Sequence, residues 1–189
     1  MKKIKNKVGI FLIFLLIVSV CFPSKTYARN PRIKDILITN DMESVFLYAR
    51  LVNGFKPEME LAVLAGIPTV FTMSIEVYEK RTPLWDKKIA SKEIKRTIKY
   101  DNLKKTFSVF TNKSEPEIFP DLESAQKAMS DFNGITAVTM SSLIKGRSYY
   151  ARIKIKMDKV RLPLGLEHVF FFVSLWDFET AWYRQNFTY

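Results

Sequence analysis

The most regular alternation of apolar and polar residues in the chain is YYARIKIKMD, where Tyr149, Ala151, Ile153, Ile155 and Met157 alternate with Tyr150, Arg152, Lys154, Lys156 and Asp158. Successive side chains of an extended strand point to opposite faces, so this spacing predicts a strand with one buried and one charged face. TVFTMSIEVYE repeats the pattern, with Phe71, Met73, Ile75 and Val77 on one side and Thr72, Ser74, Glu76 and Tyr78 on the other. SVFLYARLV is apolar on both faces, with Val45, Leu47, Ala49 and Leu51 opposite Phe46, Tyr48 and Val52, and predicts a central strand covered on both sides. IKDILIT and TFSVF predict shorter strands. SKEIKRTIKYD carries a conflict, because Arg96 shares its face with Ile94, Ile98 and Tyr100. An edge position or a bulge is expected to relieve it.

Two segments have helical punctuation instead. FKPEMELAVLAG places Pro57 and Glu58 at its start and Gly66 just past its end. DLESAQKAMSDFNG offers Asp121 as the N-terminal cap and Gly134 after the stop, with Leu122, Ala125, Met129 and Phe132 as one apolar stripe. The polar TNKSEPEIFP reads as a surface loop.

The chain ends in HVFFFVSLWDFETAWYRQNFTY. Its apolar run VFFFVSLW is too short for a spanning helix. From Trp176, the positions Trp176, Phe178 and Trp182 alternate with Asp177, Glu179 and Tyr183, and Thr180 is a polar intrusion on the aromatic side. This predicts a last strand whose aromatics fill the core. Tyr183, Phe187 and Tyr189 also suit the final strand of an outer-membrane barrel, but Gln185 interrupts that series and two helices interrupt the run of strands.

The front of the chain follows neither pattern. MKKIKNK carries four lysines and no acid, Val8 to Val20 is almost wholly apolar, and Thr26-Tyr27-Ala28 offers a small-residue cleavage site. Residues 1–28 are therefore expected to be a secretory signal peptide and residues 29–189 a single domain. The alternatives are an uncleaved anchor in the inner membrane and lipid attachment at Cys21, which Val20 disfavours. The formal charge of +11 includes five signal lysines, so the domain carries +6. The only cysteine, Cys21, lies in the signal, which leaves the domain neither a disulfide nor a thiolate metal site.

Candidate chemistry is sparse. The single histidine, His168, follows Glu167 and precedes an apolar run, the setting of a structural residue. Ser124-x-x-Lys127 and Ser142-x-x-Lys145 match a nucleophile spacing, but 13 serines and 21 lysines produce about that many matches by chance. Glu58 with Glu60, and Asp177 with Glu179, read as exposed charges rather than an acid–base pair. No glycine-rich phosphate loop or nucleic-acid motif appears, and no cofactor or metal is expected. The positive signal is a basic surface, in which Lys95, Lys99, Arg152, Lys154 and Lys156 are the candidate contacts to an anionic surface. Further lysines cluster at Lys87, Lys88, Lys92, Lys104 and Lys105. Lysines also guard exposed strand edges, which is the plainer explanation.

The ordered pieces GIPTVF, LWD, YDNLKKTF, DLESAQKA, LIKGRSYYARIKI, RLPL and LWDFETAW resemble the bacterial exported-protein family known only as domain of unknown function 4390, over about Ile33 to Trp182. Leu84 and Trp85 stand where that family has a tryptophan pair, a difference expected to touch packing only. The resemblance implies a periplasmic protein of Gram-negative bacteria with no catalytic residues. Through neighbouring genes, it also implies a membrane-bound sensor kinase of the nitrogen-regulation type as partner.

The expected fold is mainly β: a two-layer antiparallel β-sandwich of seven or eight strands with two short helices, an immunoglobulin-like order being one arrangement compatible with the pattern. The expected function is a non-catalytic interaction module of the bacterial envelope, working through a sheet edge or apolar groove. Its expected partner is an envelope protein, with an anionic lipid surface as a further contact. The alternative is a binding protein for a small apolar or anionic ligand in a sheet–helix cavity. An enzyme ranks last, for want of the side chains that common mechanisms use.

Overall fold

A computed structural model describes residues 30–158 and 177–189. The expected signal peptide, Cys21, His168 and the run VFFFVSLW lie outside these residues. Nine strands and two helices are present among the described residues: β1 (Arg32–Asn40), β2 (Ser44–Val52), α1 (Pro57–Leu64), β3 (Thr69–Glu79), β4 (Lys87–Asp101), β5 (Thr106–Thr111), β6 (Glu117–Phe119), α2 (Leu122–Ser130), β7 (Asp131–Thr139), β8 (Ser148–Met157) and β9 (Tyr183–Thr188). They form two separate antiparallel sheets, ordered β1-β2-β7 and β6-β5-β4-β3-β8-β9, rather than a closed barrel.

The alternating strands behave as their spacing predicts. Phe71, Met73, Ile75 and Val77 of β3 and Tyr149, Ala151, Ile153, Ile155 and Met157 of β8 are all buried, and they meet Val45, Leu47, Ala49 and Leu51 of β2 in one core. β2 is central in its sheet, but its second face is only half covered and Arg50 is exposed. The sheets pack as a sandwich because each has one apolar face to hide.

The strand neighbours are those of an immunoglobulin variable-type sandwich, with β1-β2-β7 in the places of strands A-B-E and β5-β4-β3-β8-β9 in those of C″-C′-C-F-G. A second feature of that architecture is present at the start of β8. The buried Tyr149 hydroxyl accepts the Ile144 N–H at 2.8 Å and donates to the Ile144 carbonyl at 3.3 Å, a tyrosine corner. One departure is β6, which pairs at the outer edge of the large sheet instead of joining the small one.

Both helices begin and end where local chemistry requires. α1 has Pro57 in its first turn, with Glu58 and Glu60 beside it. Past its end the Gly66 N–H bonds the Val63 carbonyl and the Ile67 N–H bonds the Ala62 carbonyl, a Schellman arrangement that needs the positive φ of 85° glycine supplies. In α2 the Asp121 carboxylate accepts the Ser124 N–H at 2.8 Å.

Four sequence expectations need correction. β6 lies inside the segment read as a loop, and β7 was not anticipated at all. α2 stops at Ser130, so Phe132 belongs to β7 and reaches the core from a strand. β4 is an interior strand and its bulge lies near Lys88, so neither an edge nor a bulge relieves Arg96. The guanidinium does turn inward, where Nη1 donates to the carbonyls of Ala128 and, at 2.7 Å, Asp131, and its carbon lies 4.4 Å from the Phe132 ring centre. The carbonyl end of a helix is partially negative, so a cation is stabilised there. Burial nonetheless lowers the Arg96 pKa, with Glu117 and Asp131 opposing that shift.

Candidate interaction surface

The outward residues of the six-stranded sheet follow from strand parity and register. Arg152, Lys154 and Lys156 of β8 stand opposite Glu76, Ser74 and Thr72 of β3, and Thr72 stands opposite Lys95 of β4. All five candidate contacts lie on this face. Lys95 and Lys156 converge on Asp158, at 3.7 and 3.9 Å. Lys154 pairs with Glu179, while Lys99 lies apart, above the Phe110 ring at 5.4 Å.

Arg152 is the centre of a larger arrangement. Its Nε donates to Glu76 Oε2 at 2.6 Å and its Nη2 to the Tyr78 hydroxyl at 3.0 Å, while its guanidinium carbon lies 4.9 Å from the Tyr78 ring and 4.5 Å from Trp182. Tyr78 stacks on Tyr150 with centroids 5.1 Å apart and planes 7° from parallel. Arg184 covers the other side of Tyr150 at 3.5 Å, and Lys154 approaches Trp182 at 4.9 Å. Cations and aromatic rings thus line a continuous ladder: Arg184, Tyr150, Tyr78, Arg152, Trp182, Lys154. Each such contact is electrostatically favourable because the ring face is negative.

Glu76 anchors the ladder from below. Burial raises its pKa, but hydrogen bonds from Lys88, Arg152 and the Tyr78 hydroxyl outweigh that and hold it at about 2. Burial, followed by a hydrogen bond to Asp86, raises the Tyr150 hydroxyl. Hydrogen bonding from Lys154 lowers Glu179.

Two register slips bring members of this cluster to the surface. β4 pairs Ala90 with Val77 but Lys88 with Tyr78, so a bulge turns Lys88 outward against the parity of Ile94 and Ile98. At the chain end Glu179 bridges to Lys156, whereas β9 begins with Tyr183 opposite Ile153, a slip of one residue. Before the slip Phe178 packs edge-to-face against Phe71, with ring centres 5.4 Å apart, and the buried Thr180 hydroxyl accepts the Ile155 N–H at 3.1 Å. Beyond it, Trp182 points out and is 38% exposed. The expectation that Trp182 fills the core beside Phe178 is therefore wrong, and a bulge is the reason. Of the rest of the tail, Tyr183 and Phe187 do pack against the core.

Tyr78, Tyr150, Glu76, Trp182 and Arg184 were not among the sequence candidates. The first three share outward parity with residues already noted, so alternation alone could have flagged them. Lys92 projects toward the other sheet and bonds the Thr136 carbonyl at 3.3 Å, while Lys104 and Lys105 are exposed around the β4–β5 turn. Leu84 and Trp85 are exposed, so their difference from the family pattern falls on the surface and not in the packing.

The rest of the surface is less organised. A cleft of about 500 Å³ between β2 and the helices is lined by Arg50, Phe55, Glu60, Glu123, Lys127 and Asp131, with Arg50 and Asp131 already paired at 2.7 Å. A second, of about 410 Å³, lies on the other flank of α2 beside Arg96 and Glu117. Both are open, and charged or polar residues make up most of each lining, with a single aromatic each. The buried Glu79 is held by Arg147 at 2.9 Å and Arg81 at 3.2 Å, an ion-paired anchor. Among the described residues no group of three His, Cys, Asp or Glu side chains could hold a metal. No described helix is long and apolar enough to cross a membrane.

A family model described as "Domain of unknown function (DUF4390)" matches residues 28–186. No curated protein and no solved structure matches.

Proposed function

The chain belongs to the DUF4390 family, and from that premise and the sheet geometry we propose that it is a non-catalytic interaction module of the bacterial envelope, exported to the periplasm. It binds an envelope protein through the outer face of the six-stranded sheet. The observation that carries this reading is the ladder of Arg184, Tyr150, Tyr78, Arg152, Trp182 and Lys154. Trp, Tyr and Arg dominate the energetics of protein interfaces, because each offers a large rigid contact surface together with a polar handle. Here they are pre-stacked, so little side-chain freedom remains to be lost on binding. The family resemblance makes the exported part of a membrane-bound sensor kinase the first partner to test. A ligand carrier has less support, because the two clefts seen among the described residues are open and lined mostly by charged or polar side chains.

Envelope fractionation with a photo-crosslinking residue at Trp182, and at Lys105 as a control, tests the proposal. One reproducible protein captured from Trp182 and not from Lys105 is the expected result. Capture from Lys105 alone, or recovery of the chain in the cytoplasmic fraction, would overturn it.

A further inference from the structure

Resting on the reading of this sheet face as an interaction surface, we infer that its occupant is an acidic segment of the partner protein, with its carboxylates on Arg184 and the neighbouring lysines and an apolar side chain on Trp182. The two acids at the centre of the face, Glu76 and Asp158, are recessed beneath its cations. The Glu76 and Asp158 side chains are 13% and 27% exposed, whereas Lys88, Lys95 and Lys156 are 46%, 54% and 43% exposed. Glu179, 54% exposed beside Lys154 at one end of the ladder, is an exception, as are Glu93, exposed opposite Ser74, and Asp86, exposed against Tyr150. Over the centre of the face an approaching partner therefore meets ammonium and guanidinium groups first, and like charges would be repelled there.

Arg184 sharpens the choice. It is exposed, with its guanidinium carbon over the Tyr150 ring at 3.5 Å from the centre and Nε 3.4 Å from Asn186 Oδ1, and it makes no ion pair among the described residues. A guanidinium held by its face keeps in-plane N–H groups for a carboxylate. Trp182 and Arg184 both project outward and lie two residues apart, roughly 7 Å along the strand. An extended peptide repeats its own side chains at the same interval, so an apolar residue and a carboxylate two positions apart would meet Trp182 and Arg184 together.

The test uses a short fluorescein-labelled peptide whose same-face positions alternate glutamate and leucine, a control with glutamine for every glutamate, and phosphatidylglycerol–phosphatidylethanolamine vesicles. Fluorescence anisotropy on the purified protein is expected to show salt-sensitive binding of the glutamate peptide. Arg184→Gln and Trp182→Ala are each expected to weaken binding about tenfold, the loss of one charged or aromatic anchor, and the glutamine control, which loses every carboxylate, by more than that. Both substituted side chains are exposed, so circular dichroism should report an unchanged fold.

Equal binding of the two peptides, or an Arg184→Gln variant that binds as well as the parent, would overturn the inference. Vesicle capture that depends on Arg184, without peptide binding, would assign the face to anionic lipid and also overturn it. If Trp182 still crosslinks to a protein partner while neither peptide binds, the acidic chemistry is wrong and the interaction surface stands. If Trp182 captures no protein either, both readings fall.

Discussion

Replacing Glu76 by glutamine removes the one carboxylate on which Lys88, Arg152 and the Tyr78 hydroxyl converge, at 2.6, 2.6 and 3.0 Å. The carboxyl sits at about 2 against an ordinary 4.5. That gap corresponds to at most ~3 kcal/mol of preference for the charged form in the folded protein. Lys88 and Arg152 are each more than a third exposed, so solvent screening reduces the contribution to about 1–2 kcal/mol. The folded pKa lies below the unfolded one. The stabilisation is therefore complete above about pH 4.5 and disappears as the pH falls toward 2.

Urea denaturation followed by circular dichroism should find Glu76→Gln less stable than the parent by ~1–2 kcal/mol at neutral pH. The two stabilities should draw together as the pH falls through that window, because the parent alone loses this contribution. Profiles that stay parallel from about pH 6 to 2 would refute the assignment of Glu76 as a charged anchor.

Arg96→Met should cost about 2–3 kcal/mol, because two carbonyls at the end of α2 lose a charged donor. Arg96→Lys should recover part of that loss, and equal stability of all three proteins in urea would contradict the capping role. Tyr149→Phe removes the hydroxyl bonded to the Ile144 backbone and should destabilise by about 1–2 kcal/mol at unchanged strand content. Asp121→Ala should lower Tm by about 3 °C through loss of the α2 cap. Since the Ser124 backbone and side-chain hydrogen bonds lower the Asp121 pKa, the difference between these proteins should narrow as the pH falls below the ordinary aspartate range.

The strong alternations were legible because burial of one strand face imposes a period of two on the sequence, and β3 and β8 keep that period except at Thr72 and Tyr150, which are covered on the outer face. Helix ends were legible for a similarly local reason: Pro57, Gly66 and Asp121 act on backbone groups only a few residues away. β6 and β7 were hidden because a three-residue edge strand leaves almost no period. β7 for its part carries two register slips against β2 and Gly134 at a φ of 63°. The basic residues of the surface could be named from parity, but their partners could not.

Local order, then, was decided by the sequence itself: a mainly β domain with two capped helices and a positively charged sheet face. Only the tertiary structure decided what that face is. Its ladder depends on Tyr78 standing opposite Tyr150, a pairing between strands 72 residues apart, and on two bulges that turn Lys88 and Trp182 outward. A one-residue slip reverses every side chain beyond it. Where such a slip falls is set by how two strands fit around a shared core, and the order of residues along either strand does not record it.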